Sequence, residues 1–453
     1  MSRFVSLSAA LLCACATAPV APAISAAPAS APPADPAPVT EGDVTAAHLG
    51  GLEILIKRLP GAELAAIQLY VRGGASNWSR DDAGIEALAF RVATSGGTSA
   101  LDKEAFGRRL ASLGGELSSE TGRDASTLSA KGPLASFDAL FGLLADTFLR
   151  PTMAASEVEL ARQQQLLVLK RQEENPDGRL QILANATFFK GLPYENAPDG
   201  TQESVAKLSQ AQLVKHLARL RESSRLLLVV AGDVAPDHVL ELARPAFGGL
   251  PRGSWSPAAL VRPSYAAPAL ATEARALPTN YLMGEFVAPG PADPDYPAAR
   301  VATAALQERV FEEVRTKRNL SYAPSSYYDV AAGAALAGIY VSAVDPNTTL
   351  QVMFGELRKL QETPIGEVEL AGVKAQFRTG FLMRAETTDG QAGLLANGVL
   401  LTGDWHYSAR LLDQVRTVTA ADVQAYAKRY VGKIQMVLLG DTARLDPKLA
   451  TSL

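Results

Sequence analysis

Two apolar runs decide how this chain is organised: RLLLVVAGD at residues 225–233 and QMVLLGD at residues 435–441. Each is short, aliphatic and closed by Gly-Asp, which is typical of a tight turn. A continuous apolar run of this length is typical of a strand buried on both faces. Because the same strand recurs near the end of each half, we expect two copies of one unit.

The residues before each run alternate between short strands and long helices. In the first half, Pro60-Gly61 separates two strand patterns and predicts a hairpin, and Asn175-Pro176 is expected to end a long helix. The predicted strands are 52–57, 64–71 and two within 116–130, and the predicted helices are 84–94, 102–113, 133–148, 156–174 and 209–220. In the second half the predicted strands are 281–288, 321–329 and 335–344, and the predicted helices are 297–315, 349–361 and 367–384.

This order of elements predicts an α+β fold made of two homologous lobes, 44–250 and 279–453. Each lobe is expected to be a mostly antiparallel sheet packed with helices, and the lobes are expected to face each other across a cleft that holds a substrate. Five prolines among Ala and Ser mark 251–278 as the linker. A chain of 453 residues is too long for a single core, which agrees with two lobes.

Composition narrows the class of partner. Hydrophobic residues make up 47% and charged residues 20% of the chain, as in an ordinary globular protein. The formal net charge of -4 gives no general reason to expect binding to nucleic acid or to an anionic membrane. A polyanion is therefore not expected as a partner.

The amino terminus resembles an export signal. Arg3 precedes an apolar run from residue 4 to 14 that is too short to span a bilayer, so residues 1–25 are predicted to be a signal peptide. Both cysteines, Cys13 and Cys15, lie here, so the mature lobes hold no disulfide. We therefore expect an exported protein of the bacterial periplasm.

The form of the mature amino terminus has two interpretations. The sequence LCAC at residues 12–15 resembles a lipobox, in which Cys15 becomes the lipidated first residue. The Ala/Pro-rich residues 16–43 would then be a tether to the membrane. The alternative is ordinary cleavage near residues 23–27.

Five short motifs, together with the order of elements, resemble the pitrilysin/insulinase family of zinc metallopeptidases, which includes processing-peptidase and cytochrome bc1 core subunits. The resemblance runs from near Val44 to the carboxyl terminus and implies the LuxS/MPP-like metallopeptidase fold. The motifs are VRGGA at 71–75 ahead of Gly84-Ile85, LGG at 113–115, ENP at 174–176, GTQESV at 200–205 and VVAGDV at 229–234.

The resemblance also identifies what the first lobe lacks. Active members carry His-x-x-Glu-His on the first helix, where two histidines bind zinc and the glutamate polarises water. Counted from Gly84, these positions fall on Ala87, Phe90 and Arg91. Ala and Phe offer no lone pair, and a protonated guanidinium repels a cation. Glu86 alone does not make a site, so no metal or cofactor is expected in this chain.

The remaining residues offer no substitute site. The four histidines, His48, His216, His238 and His406, have no ligand spacing and are expected to be scattered surface or capping residues. No Gly-x-Ser-x-Gly elbow occurs, and the mature chain has no thiol for a cysteine triad.

The second lobe contains a motif that resembles a functional motif of this family. The sequence RTKRNLSY at residues 315–322 resembles the family's Arg/Tyr motif, which implies that Arg315 holds a substrate carbonyl and that Tyr322 donates a hydrogen bond to the oxyanion. Asn319 stands where the family usually has Gly, a mild change because Asn tolerates left-handed backbone. The alternative is a surface Arg and a core Tyr at a helix end, to which Lys317 and Arg318 also belong.

These features together predict the non-metal-binding subunit of a heterodimeric zinc peptidase. Its partner would be a zinc-bearing homologue, and its peptide substrate would add a strand to a sheet edge, with 64–71 and 118–130 as candidate edges. The alternative is a catalytically inactive peptide-binding or scaffold protein of the cell envelope.

Overall fold

The structure, a computed structural model, describes residues 35–257, 261–331 and 334–453. Residues 35–453 form one compact unit built on two β-sheets. The strands are β1 (Val39–Glu41), β2 (Val44–Leu49), β3 (Leu52–Arg58), β4 (Leu64–Arg72), β5 (Glu116–Thr121), β6 (Ala125–Pro133), β7 (Leu226–Gly232), β8 (Ala269–Ala274), β9 (Asn280–Val287), β10 (Ser325–Val330), β11 (Ala335–Ala343) and β12 (Gln435–Gly440).

Many of the helices begin at side chains that can cap them. Asn175 accepts a hydrogen bond from Gly178 N ahead of α5, and Thr387 accepts one from Gly390 N ahead of α12. The helices are α1 (Ile85–Ser95), α2 (Lys103–Ser112), α3 (Phe137–Leu149), α4 (Ala155–Glu174), α5 (Pro176–Phe188), α6 (Gln202–Lys207), α7 (Gln210–Leu220), α8 (Pro236–Phe247), α9 (Tyr296–Val310), α10 (Pro346–Glu362), α11 (Glu367–Arg384), α12 (Thr388–Thr402), α13 (Tyr407–Thr417), α14 (Ala420–Tyr430) and α15 (Pro447–Ala450).

The two sheets repeat one topology. The first has the order β1-β2-β3-β7-β4-β6-β5 and the second has the order β10-β11-β9-β12-β8. The parallel pair β3–β7 matches the parallel pair β8–β12, and the other pairs are antiparallel in both sheets. The repeated apolar runs are β7 and β12, and both are buried at every residue. The expectation of two homologous α+β lobes is thus confirmed.

One face of each sheet packs against helices of its own lobe. The other face packs against a helix from the opposite lobe. Helix α12 lies on β4 and β7 of the first sheet, and α5 lies on β9 and β12 of the second. Burying such apolar surface is worth roughly 25 cal/mol per Å², so the exchanged helices hold the lobes together. The buried side chains are Leu227, Val229, Leu395 and Ala396 in the first interface and Leu180, Ala184, Val437 and Leu439 in the second.

One predicted strand pairing is wrong. Strands β3 and β4 do not form a hairpin, because β7 lies between them, parallel to β3 and antiparallel to β4. The most apolar strand takes the most buried position, and the Pro60-Gly61 turn only reverses the chain beside it. Asp233, at the end of β7, accepts a hydrogen bond of 3.0 Å from Gly61 N and so fixes this turn.

Two predicted irregular segments contain strands. The predicted linker, 251–278, includes β8, which pairs with β12 along its whole length. The predicted tether, 16–43, includes β1, which pairs with β2, and Asp35 accepts two hydrogen bonds from Gly50 N. Pairing with a neighbouring strand overrides the Pro- and Ala-rich composition of both segments.

The predicted export signal, 1–25, and the lipidation site Cys15 lie outside the described residues. Among the helices of the described ranges, none has the length and apolar character needed to cross a membrane.

Candidate functional site

The helix on which the family resemblance places the zinc motif is α1, and its start depends on a glycine. Gly84 has φ +85°, and a Cβ there would lie 2.6 Å from Asp199 O, so the turn before the helix admits no side chain. Phe90 is fully buried in the core of the first lobe. Ala87 and Arg91 lie on the side of α1 that faces strand β5 and line a pocket of about 420 Å³.

These side chains do not fit a zinc ion. Phe90 fills core space with an aromatic ring, Ala87 has no donor atom, and Arg91 brings a positive charge into the pocket. Within the part of the chain that the structure describes, no group of three His, Cys, Asp or Glu side chains could hold a metal ion. No step of any reaction is therefore assigned to a metal on this chain.

A buried polar cluster that the sequence did not predict lies beneath α1. Glu86 is 1% exposed, accepts a hydrogen bond from Ser126 Oγ and contacts His216 Nε2 at 2.9 Å. The ring of Trp78 meets His216 edge-on with centroids 4.4 Å apart. His216 is therefore neither a surface nor a capping histidine, which corrects that expectation. The buried carboxyl group is tolerated here because it is hydrogen-bonded.

The other three histidines are at least partly accessible. His48 lies in β2 and is exposed, in agreement with a surface position. His238 pairs with Asp138 at 2.7 Å. His406 contacts Asp404 and Glu41, at 2.8 and 3.0 Å, and these carboxylates raise its pKa.

The structure brings Arg315 and Tyr322 together. Arg315 lies in a π-helical turn, residues Phe311–Thr316, which extends α9. Its guanidinium carbon stacks 4.4 Å from the centroid of the Tyr322 ring, and Nη1 donates to Asn319 Oδ1 at 3.1 Å. Asn319 has φ +50°, the left-handed conformation considered for this position. π-Helical turns occur frequently at functional sites.

Tyr322 is 77% exposed, so it is not a core residue. Its neighbours Lys317 and Arg318 are both paired with Glu313, and these hydrogen bonds lower the pKa of Glu313 to about 2. The two basic side chains thus form ion pairs at the end of the helix. Arg315, in contrast, faces Tyr322 and has no carboxylate partner in the described chain.

The strand order identifies the edge strands of the two sheets. Strand β5 is an edge strand of the first sheet, at the end opposite to β1. Strand β10, which begins three residues after Tyr322, is the matching edge strand of the second sheet. Of the predicted edges, 64–71 is wrong because β4 is central, and 118–130 is right only for its β5 part because β6 is internal.

A groove of about 740 Å³ lies beside β5, between the sheet and helix α12. Its lining is polar, with Ser118, Ser129 and Lys131 from the sheet and Asn397 from the helix. Gly393 of α12 has open space where a Cβ would lie. Arg315 and Tyr322 line neither this groove nor the pocket beside Arg91.

Residues 53–201 match the sequence model of the insulinase family (peptidase family M16), and residues 207–377 match that of the peptidase M16 inactive domain. An uncharacterized zinc protease of Mycobacterium leprae (strain TN) is 26% identical over 397 residues, which is 85% of this chain and 88% of the relative.

Two further similarities concern a subunit and a solved structure. The mitochondrial cytochrome b-c1 complex subunit 1 of Homo sapiens is 28% identical over 230 residues, 49% of this chain and 46% of that protein. The crystal structure of a peptidase M16 inactive domain from Pseudomonas fluorescens matches with a TM-score of 0.80 at 19% identity and covers 89% of this chain and 100% of that one. The structural similarity shows the fold.

Proposed function

We propose, from the premise that this chain belongs to the insulinase family of M16 peptidases, that it acts as the non-metal-binding subunit of a heterodimeric zinc peptidase. Its partner would be a zinc-bearing homologue, which supplies the His-x-x-Glu-His helix. This chain would supply the groups that hold the peptide and stabilise the transition state. It would bind no metal or other cofactor itself.

The observation that carries the proposal is the stacked pair of Arg315 and Tyr322. An aromatic side chain that is 77% exposed contributes little to a core, and a guanidinium 4.4 Å above its ring holds it in one orientation. The guanidinium and the phenol hydroxyl are then both available to a ligand from outside the chain.

The chemistry of the two groups suits peptide hydrolysis. When water attacks a peptide bond, negative charge develops on the carbonyl oxygen, and hydrogen-bond donors fixed beforehand stabilise it. In this proposal Arg315 binds a substrate carbonyl and Tyr322 donates a hydrogen bond from its hydroxyl to the oxyanion. The metal that activates the water belongs to the partner subunit.

An extended peptide would bind by adding a strand to β5. The outer edge of β5 has no neighbouring strand among the described residues, and the polar groove beside it has room for alternate side chains. Main-chain hydrogen bonds would give affinity without demanding a particular sequence. The two lobes would then close around the peptide together with the partner subunit.

The relatives support a subunit role in general terms, since cytochrome b-c1 complex subunit 1 is by name part of an assembly. For the location, we propose export to the bacterial periplasm through the predicted signal, 1–25, with a lipid anchor at Cys15 if the lipobox interpretation holds.

Reconstitution tests the proposal. The purified chain is mixed with an M16 homologue that has an intact His-x-x-Glu-His motif, and cleavage of an unstructured peptide is measured alongside zinc content. We expect activity in the mixture, zinc in the homologue alone, and a loss of about 100-fold in kcat/KM for Arg315→Ala and Tyr322→Phe. Tyr322→Phe keeps the ring on Arg315 and removes only the hydroxyl.

Arg318→Ala is the matched control, because Arg318 is exposed, lies on the same turn and pairs with Glu313. It should leave cleavage unchanged. Full activity in mixtures containing Arg315→Ala and Tyr322→Phe would refute the assignment of these residues.

The alternative function is that of a catalytically inactive peptide-binding or scaffold protein. It is favoured by the groove beside β5, which is formed by this chain alone. Peptide binding by the isolated chain, combined with no cleavage in any mixture, would favour this alternative.

A further inference from the structure

Arg91 stands where a zinc ligand stands in active relatives, yet it has no counter-ion of its own. In the described chain its guanidinium takes part in no ion pair, and its Nε is buried without a hydrogen-bond acceptor. Some arginines of this lobe are paired, as Arg72 is with Glu53 at 2.6 Å, whereas the Nε atoms of Arg162 and Arg225 are, like that of Arg91, buried without an acceptor. A half-buried guanidinium without a partner is unfavourable unless a ligand completes its hydrogen bonds.

The pocket in front of Arg91 is open because the neighbouring side chain is small. Ala87, one turn earlier on α1, ends at its Cβ and leaves space between the helix and the edge strand. Ser119 and Thr121 of β5 line the far side of the pocket and offer hydroxyl groups. The pocket is therefore polar, and it lies against the strand on which a peptide would be added.

We propose that Arg91 binds a carboxylate of a peptide that lies along β5. This proposal rests on the proposed function, because it needs a peptide at that edge. The planar guanidinium matches a carboxylate with two parallel hydrogen bonds, which a peptide carbonyl cannot form. The carboxylate comes from the carboxyl terminus of the peptide or from an acidic side chain.

Two acidic residues set limits on this site. Asp199 and Glu120 also line the pocket, although neither forms an ion pair with Arg91. Their charges weaken the attraction for any anion, so a free carboxylate must be held by the strand as well as by Arg91. Asp199→Asn removes one of these charges and should tighten the binding of peptides with a carboxylate.

The test is a binding measurement on the full chain with three versions of one fluorescent, unstructured peptide. The first has a free carboxyl terminus, the second a carboxyl-terminal amide, and the third a free terminus with its acidic side chains changed to amides. We expect at least one substitution of amide for carboxylate to weaken binding about tenfold, which corresponds to about 1.4 kcal/mol. The version that weakens identifies the source of the carboxylate.

Arg91→Gln should erase this difference while leaving binding of the amide version that binds more weakly to the unmodified chain unchanged. Arg108→Ala, an exposed arginine on α2 paired with Glu104, is the matched control and should keep the difference. The comparison of peptides on the unmodified chain does not depend on whether Arg91→Gln folds.

Equal binding of all three peptides by the unmodified chain would overturn the role of Arg91 and leave strand addition standing. Failure of every peptide to bind would overturn both proposals. Preference for a carboxylate that persists in Arg91→Gln would place the anion elsewhere and so reject this site.

Discussion

The two interfaces made by the exchanged helices have the same geometry but different polar residues at their centres. In the first lobe Tyr70 lies opposite Leu227, and in the second Glu285 lies opposite Gln435, the position equivalent to Leu227 when the two Gly-Asp turns are aligned. Tyr70 donates to Gln68 Oε1 at 2.7 Å, and Gln68 Nε2 donates to Asp389 of α12 at 2.6 Å. The first interface is thus crossed by a complete chain of hydrogen bonds.

In the second interface, the carboxyl group of Glu285 lacks part of its hydrogen bonds. Its Oε1 accepts a hydrogen bond from Tyr327 at 2.8 Å, but its Oε2 is buried without a partner among the described residues. Burial raises the pKa of Glu285 to about 8, Asp329 adds to the increase, and the bond from Tyr327 and the charge of Arg123 oppose it. The comparison teaches that two copies of one interface can differ in their response to pH while sharing one apolar frame.

Substitutions in the apolar part of the two interfaces should have the largest effect on stability. Leu180→Ala and Leu395→Ala each remove a buried side chain from one exchanged helix, and each should lower the free energy of unfolding by about 3 kcal/mol. Urea unfolding followed by circular dichroism measures both. Leu382→Ala on α11, 49% exposed, is the control and should change stability by less than about 0.5 kcal/mol. A small effect at only one leucine would show that the two interfaces do not contribute equally.

The ionisation of Glu285 should have the next largest effect on stability, and this effect depends on pH. Its folded pKa of about 8 lies above the ordinary value of 4.5, so stability is greatest below 4.5 and is lost as the pH rises toward 8. We expect the wild-type chain to lose about 2 kcal/mol between pH 5 and about pH 6.5 through this residue, because each pH unit in this range costs about 1.4 kcal/mol.

Glu285→Gln keeps an acceptor for Tyr327 and cannot ionise. Its unfolding free energy should therefore lose this component of the pH dependence and exceed that of the wild type at pH 9. Parallel pH profiles for the two proteins would contradict the proposed difference between the interfaces.

The hydrogen-bonded chain of the first interface should give the smallest effect. Tyr70→Phe removes the donor to Gln68 and should cost about 1 kcal/mol. Burial raises the pKa of Tyr70, so its hydroxyl stays protonated and the cost should be the same at pH 5 and pH 9. Thermal melts at both pH values measure it, and a cost that changes with pH would remove the contrast with Glu285.

Much of the fold could be predicted because it is encoded locally. The repeated strands β7 and β12 and the helices α1, α2 and α4 follow from apolar spacing, and the duplication follows from their order. The exchanged helix α5 was missed, although its signal is present. Asn175-Pro176 was interpreted as a stop, but Asn caps the next helix and Pro occupies its first position, a favoured way to start one.

The site was predictable only where single residues decide the chemistry. The loss of the two zinc-binding histidines, at Ala87 and Arg91, and of the glutamate, at Phe90, can be seen in the sequence through the family resemblance. The contact between Glu86 and His216 joins residues 130 positions apart, and no local spacing indicates it. The stacking of Arg315 on Tyr322 depends on the π-helical turn, which no periodic pattern of residues indicates.

The exchange of helices also has a consequence for synthesis on the ribosome. Strand β7 completes the first sheet at Gly232, but α12, which covers its outer face, ends only at Thr402. At about 5 to 20 residues per second, translation of the intervening chain takes on the order of ten seconds. During that interval the first lobe presents a bare apolar face to chaperones and to other nascent chains. A fragment cut at the linker would keep that face uncovered, so the two halves are interdependent in folding.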